Sequence, residues 1–203
     1  MIELFAFRED IDERHAYDLL EAAFELTKDY DYCIIRVPTA DKSFPLLQHF
    51  CFVPTRQKVC CKYSLYVAHR SSVMGKLRVR EAEIIDIPQI ARLMMNLDGK
   101  DTITTVEHMI NKNENQAYVF TSGLHVVGLG ILEAPEQIDF LRGRFNLDSY
   151  QIHNYHVVDN GVEAGFATLK CIIVYPAFEA HFRFFARDML RLSGNNTLLW
   201  MTA

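Results

Sequence analysis

Residues Phe166–Met201 read FATLKCIIVYPAFEAHFRFFARDMLRLSGNNTLLWM, and their pattern decides the fold. Phe166–Tyr175 is a nearly continuous apolar run holding Thr168, Ile172, Ile173 and Val174, as a buried strand requires. Pro176–Glu179 interrupts it. From Phe178 to Leu192 the apolar residues recur at the helical period, and Thr197–Met201 is apolar again. Strand, connection, amphipathic helix and strand in that order are the unit of an α/β protein.

Upstream, Leu77–Ala82 reads as a strand. Asp86 stands as an N-cap before Pro88, and Ile87, Ile90, Ala91, Leu93, Met94 and Leu97 supply the apolar face of the helix that follows. Asp101–Asn113 predicts another helix. Ala117–Thr121 and His125–Leu132 predict a hairpin about Ser122-Gly123, and Pro135–Arg144 a short surface helix. The first part of the chain repeats the theme: strand Ile2–Phe7, charged connection Asp10–Arg14, helix Arg14–Lys28 and buried strand Tyr32–Val37. A second helical pattern spans Ser43–Phe50, and Cys60–Ala68 alternates like a strand. The polar stretch HRSSVMGK, His69–Lys76, is the natural boundary between the two patterns.

Composition narrows the function. The 203 residues carry 21 basic and 26 acidic side chains, net −5, which argues against a general nucleic-acid or anionic-membrane binder. Half are apolar, enough for a sizeable core, and no apolar run approaches the ~20 residues that span a bilayer. Five cysteines without framework spacing, and no basic n-region at the start, predict reduced thiols in a cytoplasmic setting.

The order β-α-α-β-β-β-α-β-α-β resembles the GNAT-type N-acetyltransferase fold. In that family a loop of the form V-x-P-x-x-R/Q-x-x-G-x-G/A follows the fourth strand, and its backbone N–H groups hold the pyrophosphate of acetyl-CoA. Here Val174-Tyr175-Pro176 matches the start, but Glu179 stands at the basic position and Phe182 and Phe184 at the close-approach positions. Rings fill space that glycine would leave open, and a carboxylate repels a diphosphate. The connection Arg8–His15 has no glycine either. The tail Phe44–Pro54 resembles the family's last helix and strands. Where active members place Tyr-x-x-x-Gly-Phe, aligned on Phe52, this chain has Leu47 and Cys51. A leucine cannot act as the general acid.

More particularly, PLLQHFCFVPTR (Pro45–Arg56), SLYVAHRSSVMGKLRVREAEIIDIPQIARLM (Ser64–Met94) and HFRFFARDMLRLSGN (His181–Asn195) resemble the N-terminal region of the cilia- and flagella-associated protein 61 family. That resemblance implies a structural role in the calmodulin- and spoke-associated complex of motile cilia.

Other candidates have plainer readings. His153 and His156 fall on opposite faces of any strand and lack further ligands, so they are solvated or hydrogen-bonded rather than metal-binding. Cys60 and Cys61 likewise diverge. Cys51 beside His49 reads as a packed thiol, since nothing orients the imidazole. Gly128 and Gly130 lack the third glycine of a dinucleotide fingerprint and read as close backbone packing. Along Phe178–Leu192 an apolar stripe of Phe178, Phe182, Phe185, Met189 and Leu192 opposes Arg183, Arg187 and Arg191. A calmodulin-type target helix would look this way, as would a core helix with a solvated basic face.

These readings predict an α/β protein with a mixed central sheet flanked by helices, built from two partial acetyltransferase-like modules. Residues 1–70 form the C-terminal half of a first module and 77–203 the N-terminal part of a second. The resemblance implies a non-catalytic scaffold of the ciliary or flagellar axoneme, supporting radial-spoke assembly and motility. Its expected partners are other proteins of that complex, calmodulin among the candidates, with Arg183, Arg187 and Arg191 as the partner-binding residues. No catalytic residue, cofactor, metal, nucleic acid or membrane is expected. The alternative is an acyl-CoA-dependent N-acetyltransferase with an atypical pyrophosphate loop.

Overall fold

A computed structural model describes residues 15–39, 45–56, 59–95, 100–112, 116–134, 138–146, 149, 157–159, 162–195 and 197–200. The expected strand Ile2–Phe7 and the histidines His153 and His156 lie outside them. The chain is mixed α/β, as its pattern predicts, and divides into two compact units: Met1–Lys76 with Pro176–His181, and Leu77–Tyr175 with Phe182–Ala203.

In the first unit, helix α1 (His15–Leu26) buries Ala16, Leu20 and Phe24, one side chain per turn along one stripe. These meet Leu46 and Phe50 from the 3₁₀ helix Pro45–His49 and its end, and Ala68 and Val73 from the strand and helix beyond. Burying Leu20 and Phe24 contributes roughly 1.5–3 kcal/mol each. Strands β1 (Tyr32–Pro38), β2 (Cys51–Val53) and β3 (Tyr63–His69) form an antiparallel sheet in the order β1-β3-β2. β1 is not the buried strand its apolar run suggests. Only Val37 is buried, while Tyr32 and Ile34 are exposed by 60% and 61%. The strand lies at an edge, and α1 packs against the alternate residues Cys33 and Ile35. An apolar run cannot reveal how many of its faces are covered.

The stretch read as a polar boundary is also more than a linker. Arg70–Val73 forms a short helix, α2, with Ser72 and Val73 buried. The His69 imidazole accepts from the Ser71 N–H at 3.0 Å, and the Ser72 hydroxyl donates to the His69 carbonyl at 2.7 Å. The Arg70 guanidinium donates to the carbonyls of Phe24 (2.7 Å), Thr27 and Tyr30 (2.8 Å), closing the C-terminal end of α1.

In the second unit, β4 (Leu77–Glu81), β5 (Ala117–Ser122), β6 (His125–Glu133), β9 (Phe166–Val174) and β10 (Thr197–Leu199) give the order β10-β9-β6-β5-β4. All neighbours are antiparallel except β9 and β10. Helices α3 (Ile87–Leu93) and α4 (Lys100–Asn111) cover one face, packing Ile90, Leu93, Val106 and Met109 on Val119, Leu129 and Ile131. Helix α6 (Phe182–Leu192) covers the other, its Phe185 ring stacked on Phe120 at 4.5 Å. β5 is therefore buried along its whole length. Helix α5 (Ile138–Arg144) and a small hairpin of β7 (Val157–Asp159) and β8 (Val162–Ala164) lie between β6 and β9. The hairpin is absent from the sequence reading because three-residue strands are too short to show alternation.

Candidate functional site

Three places hold the residues singled out in the sequence: the connection from β9 to α6, the outer face of α6, and the surroundings of Cys51. In the connection, Pro176–His181 is a six-residue 3₁₀ helix, so the α-helix begins at Phe182 and not at Phe178. Pro176 cannot donate to a preceding turn, and the tighter turn precedes the regular helix. Phe178 is buried, its ring 6.4 Å from that of His69. The Cys51 thiol donates to the Glu179 carboxylate at 3.8 Å.

Burial favours the uncharged forms of Cys51, His49 and His181 in this first-unit cluster. Burial raises the Cys51 pKa, and the charge of Glu179 and the hydrogen bond to it add to the effect. The group is a packed thiol, as the sequence suggests, and not a nucleophile ready to ionise. Burial lowers the His49 pKa, with His181 acting in the same direction. His181 is also lowered by burial, partly offset by a backbone hydrogen bond with Ser72. The His49 ring meets Tyr17 edge-on at 4.9 Å and its Nε2 lies 3.2 Å from the Gln48 amide nitrogen. Among the described residues no three His, Cys, Asp or Glu side chains form a group that could hold a metal ion. Cys60 and Cys61 are exposed free thiols.

On α6, Phe185 and Met189 are fully buried, whereas Arg183, Arg187 and Arg191 are all exposed. Asp188 lies between the last two arginines, its carboxylate 3.1 Å from the Arg187 guanidinium and 3.9 Å from that of Arg191. The Arg187 guanidinium also rests over the Phe184 ring at 5.3 Å. The helix is thus a core element by its apolar face and a basic surface by the other.

Gly128 and Gly130 serve packing. A side-chain carbon on Gly128 would stand 2.5 Å from Phe120 Cδ2 and 2.7 Å from the Ile173 carbonyl oxygen. One on Gly130 would meet Met189 and, at 3.1 Å, Phe120 Cζ.

No protein-family model matches the chain. Over 206 residues it is 23% identical to cilia- and flagella-associated protein 61 of Tetrahymena thermophila, covering 98% of this chain. The ciliary resemblance runs along nearly the whole sequence. The chain spans 12% of the length of that relative. Among solved structures, the aminoglycoside N-acetyltransferase AAC(6')-Iy in complex with CoA is 12% identical, with 64% of this chain and 78% of that one covered at a TM-score of 0.42. A GNAT family acetyltransferase from Brucella melitensis in complex with acetyl-CoA is 13% identical, with 64% and 77% covered at a TM-score of 0.37.

Sequence reasoning missed the roles of two charged residues that shape these elements, Arg70 on backbone carbonyls and Asp86 in an ion pair. Arg70 reads only as part of the polar boundary His69–Lys76. Asp86 looked like an N-cap, yet its buried carboxylate makes no cap bond to α3. It accepts from Arg80 through two bonds of 2.6 and 2.7 Å and from the Glu83 N–H at 2.9 Å. The spacing of Arg80 and Asp86 spans a strand end and a turn, so no helical or strand period pairs them.

Proposed function

We propose that this chain is part of a non-catalytic scaffold of motile cilia and flagella, a component of the calmodulin- and spoke-associated complex at the axoneme that supports radial-spoke assembly and motility. The observation carrying this reading is the similarity along 98% of the chain to a protein named for cilia and flagella. The β9–α6 connection adds physical support. A pyrophosphate there needs a close-approach backbone and donors free of competing acids. In this chain the connection carries Glu179, already accepting from Cys51, and Phe178, already buried, before Phe182 and Phe184. These residues do not fit an acetyl-CoA cradle.

The alternative, an acyl-CoA-dependent N-acetyltransferase, is favoured by the second unit's succession β4-α3-α4-β5-β6-β9-α6-β10, which, with α5, β7 and β8 inserted, follows the first eight elements of the expected acetyltransferase order. Calorimetry or a thermal shift with acetyl-CoA separates the two. A ligand bound only by the native state raises its stability, by ~2.7 kcal/mol at a hundredfold excess over Kd. The scaffold reading expects no shift, and a saturable one would restore the transferase. Proximity crosslinking in beating cilia then tests the placement: labelled neighbours should be radial-spoke proteins.

A further inference from the structure

Resting on the reading of the chain as a binding component, we propose that Arg183, Arg187 and Arg191 dock an acidic helical segment of a partner protein while α6 stays in its sheet. The three arginines are exposed and stand one turn apart, opposite a face whose Phe185 and Met189 are fully buried. A partner that engulfs a basic amphipathic helix must read its apolar side. Here that side packs on Phe120 and beside Gly130, so extraction would open the core of the second unit. What remains for recognition is the basic face.

That face is arranged in advance. Asp188, with its side chain 16% exposed, ties Arg187 and lies near Arg191, and the Phe184 ring supports Arg187. Fixing guanidiniums before binding lowers the entropy lost on docking. A guanidinium presents five donors in a rigid fork, so a carboxylate can be taken at one edge while Asp188 holds another. Residues four apart on a helix are about 6 Å apart along its axis, and a partner helix with acids four apart repeats that pitch. The helix sets three arginines against the lone Asp188 on an otherwise acidic chain of net −5. A local acidic match suits such a patch, whereas a nucleic acid or anionic bilayer meets the whole molecule's repulsion.

The test uses the whole 203-residue chain. Fluorescence anisotropy follows a labelled helical peptide with three glutamates four residues apart, against an isomer with the glutamates consecutive. The spaced peptide should bind the tighter, and Arg183→Glu/Arg187→Glu/Arg191→Glu should weaken it by about tenfold or more. The Arg→Gln triple variant, which carries less risk to the fold, should also lose affinity. Hydrogen exchange at Phe185 and Met189 should stay slow in the complex. Equal binding of the two peptides, unchanged affinity in the Gln variant, or equal competition by single-stranded oligonucleotides or phosphatidylserine vesicles overturns the proposal. So does calcium-loaded calmodulin binding with loss of protection at Phe185 and Met189. Acetyl-CoA binding, measured separately, bears on the scaffold reading alone.

Discussion

Gly128 and Gly130 lie under the same aromatic ring, yet a methyl group at each would meet different matter. At position 128 it reaches the Ile173 carbonyl oxygen, and backbone in a paired sheet cannot step aside. At position 130 the first obstacle is the end of Met189, a flexible thioether that can rotate. Gly128→Ala should therefore cost about 2–3 kcal/mol and Gly130→Ala clearly less, as read from urea midpoints at constant m. Equal losses would mean that Met189 is as rigid as the strand. Asp86 makes a second case. Removing Arg80 leaves a carboxylate only 2% exposed without its main partner. Arg80→Ala should cost roughly 3 kcal/mol, and Arg80→Ala with Asp86→Asn clearly less than the sum of the single changes. The close packing at the two glycines was legible from their place in an apolar strand. The Arg80–Asp86 pair was not, because a side chain's partner across a turn leaves no periodic trace.

At the scale of elements, periodicity found α1, α3, α4, α6, the β5–β6 hairpin and β9, since each buries a regular stripe or face. It misjudged places where one element borrows from another. α2 lies in the stretch His69–Lys76 that reads as a polar boundary, and its helix stays hidden there because Arg70 serves the backbone at and after the end of α1, which leaves no periodic trace. Arg70→Ala should release carbonyls at the end of α1 and destabilise the chain by about 2–3 kcal/mol. Faster amide exchange in Phe24–Tyr30 would check it, and unchanged exchange would show the guanidinium to be dispensable. The 3₁₀ helix Pro176–His181 brings a pH dependence. Burial lowers the pKa of both His49 and His181 below the ordinary 6.5, so the unfolded chain binds more protons between the two values. Stability is then full above about pH 6.5 and falls as the pH drops through it. Tyr17, Cys51, His69 and Glu179 belong to the same cluster, and Tyr17 and Cys51, whose ordinary pKa values lie above that range and are raised further by burial, stay neutral throughout it. Thermal melts between about pH 7.5 and 5.5 should show a lower Tm on the acid side, with a slope reduced in His49→Gln/His181→Gln.

For the whole molecule, the sequence conveyed an α/β chain whose second half carries a sheet flanked by helices, because strands alternating with amphipathic helices leave few other architectures. It could not convey that the first unit draws on residues a hundred positions further on. Pro176–His181 belongs to that unit by its contacts, although it follows β9 in the chain. The residues concerned are ordinary in sequence: an apolar Phe178, an acidic Glu179 and a histidine. Their role appears only when Phe178 lies beside His69 and Glu179 takes the Cys51 thiol. Such a contribution from far along the chain must be closed at an entropic cost before its contacts stabilise anything. A chain ending at Lys76 should consequently keep the α1 core yet leave Cys51, only 9% exposed in the whole molecule, open to reagent. Alkylation mapped by mass spectrometry should be about tenfold faster at Cys51 in that fragment than in the full chain, while exposed Cys60 and Cys61 react alike in both. In the 203-residue chain, Phe178→Ala should move Cys51 in the same direction by removing the buried ring of the turn that also carries Glu179, with a loss of about 3–5 kcal/mol. Equal Cys51 rates in all three proteins would show that the first unit is complete without its distant turn.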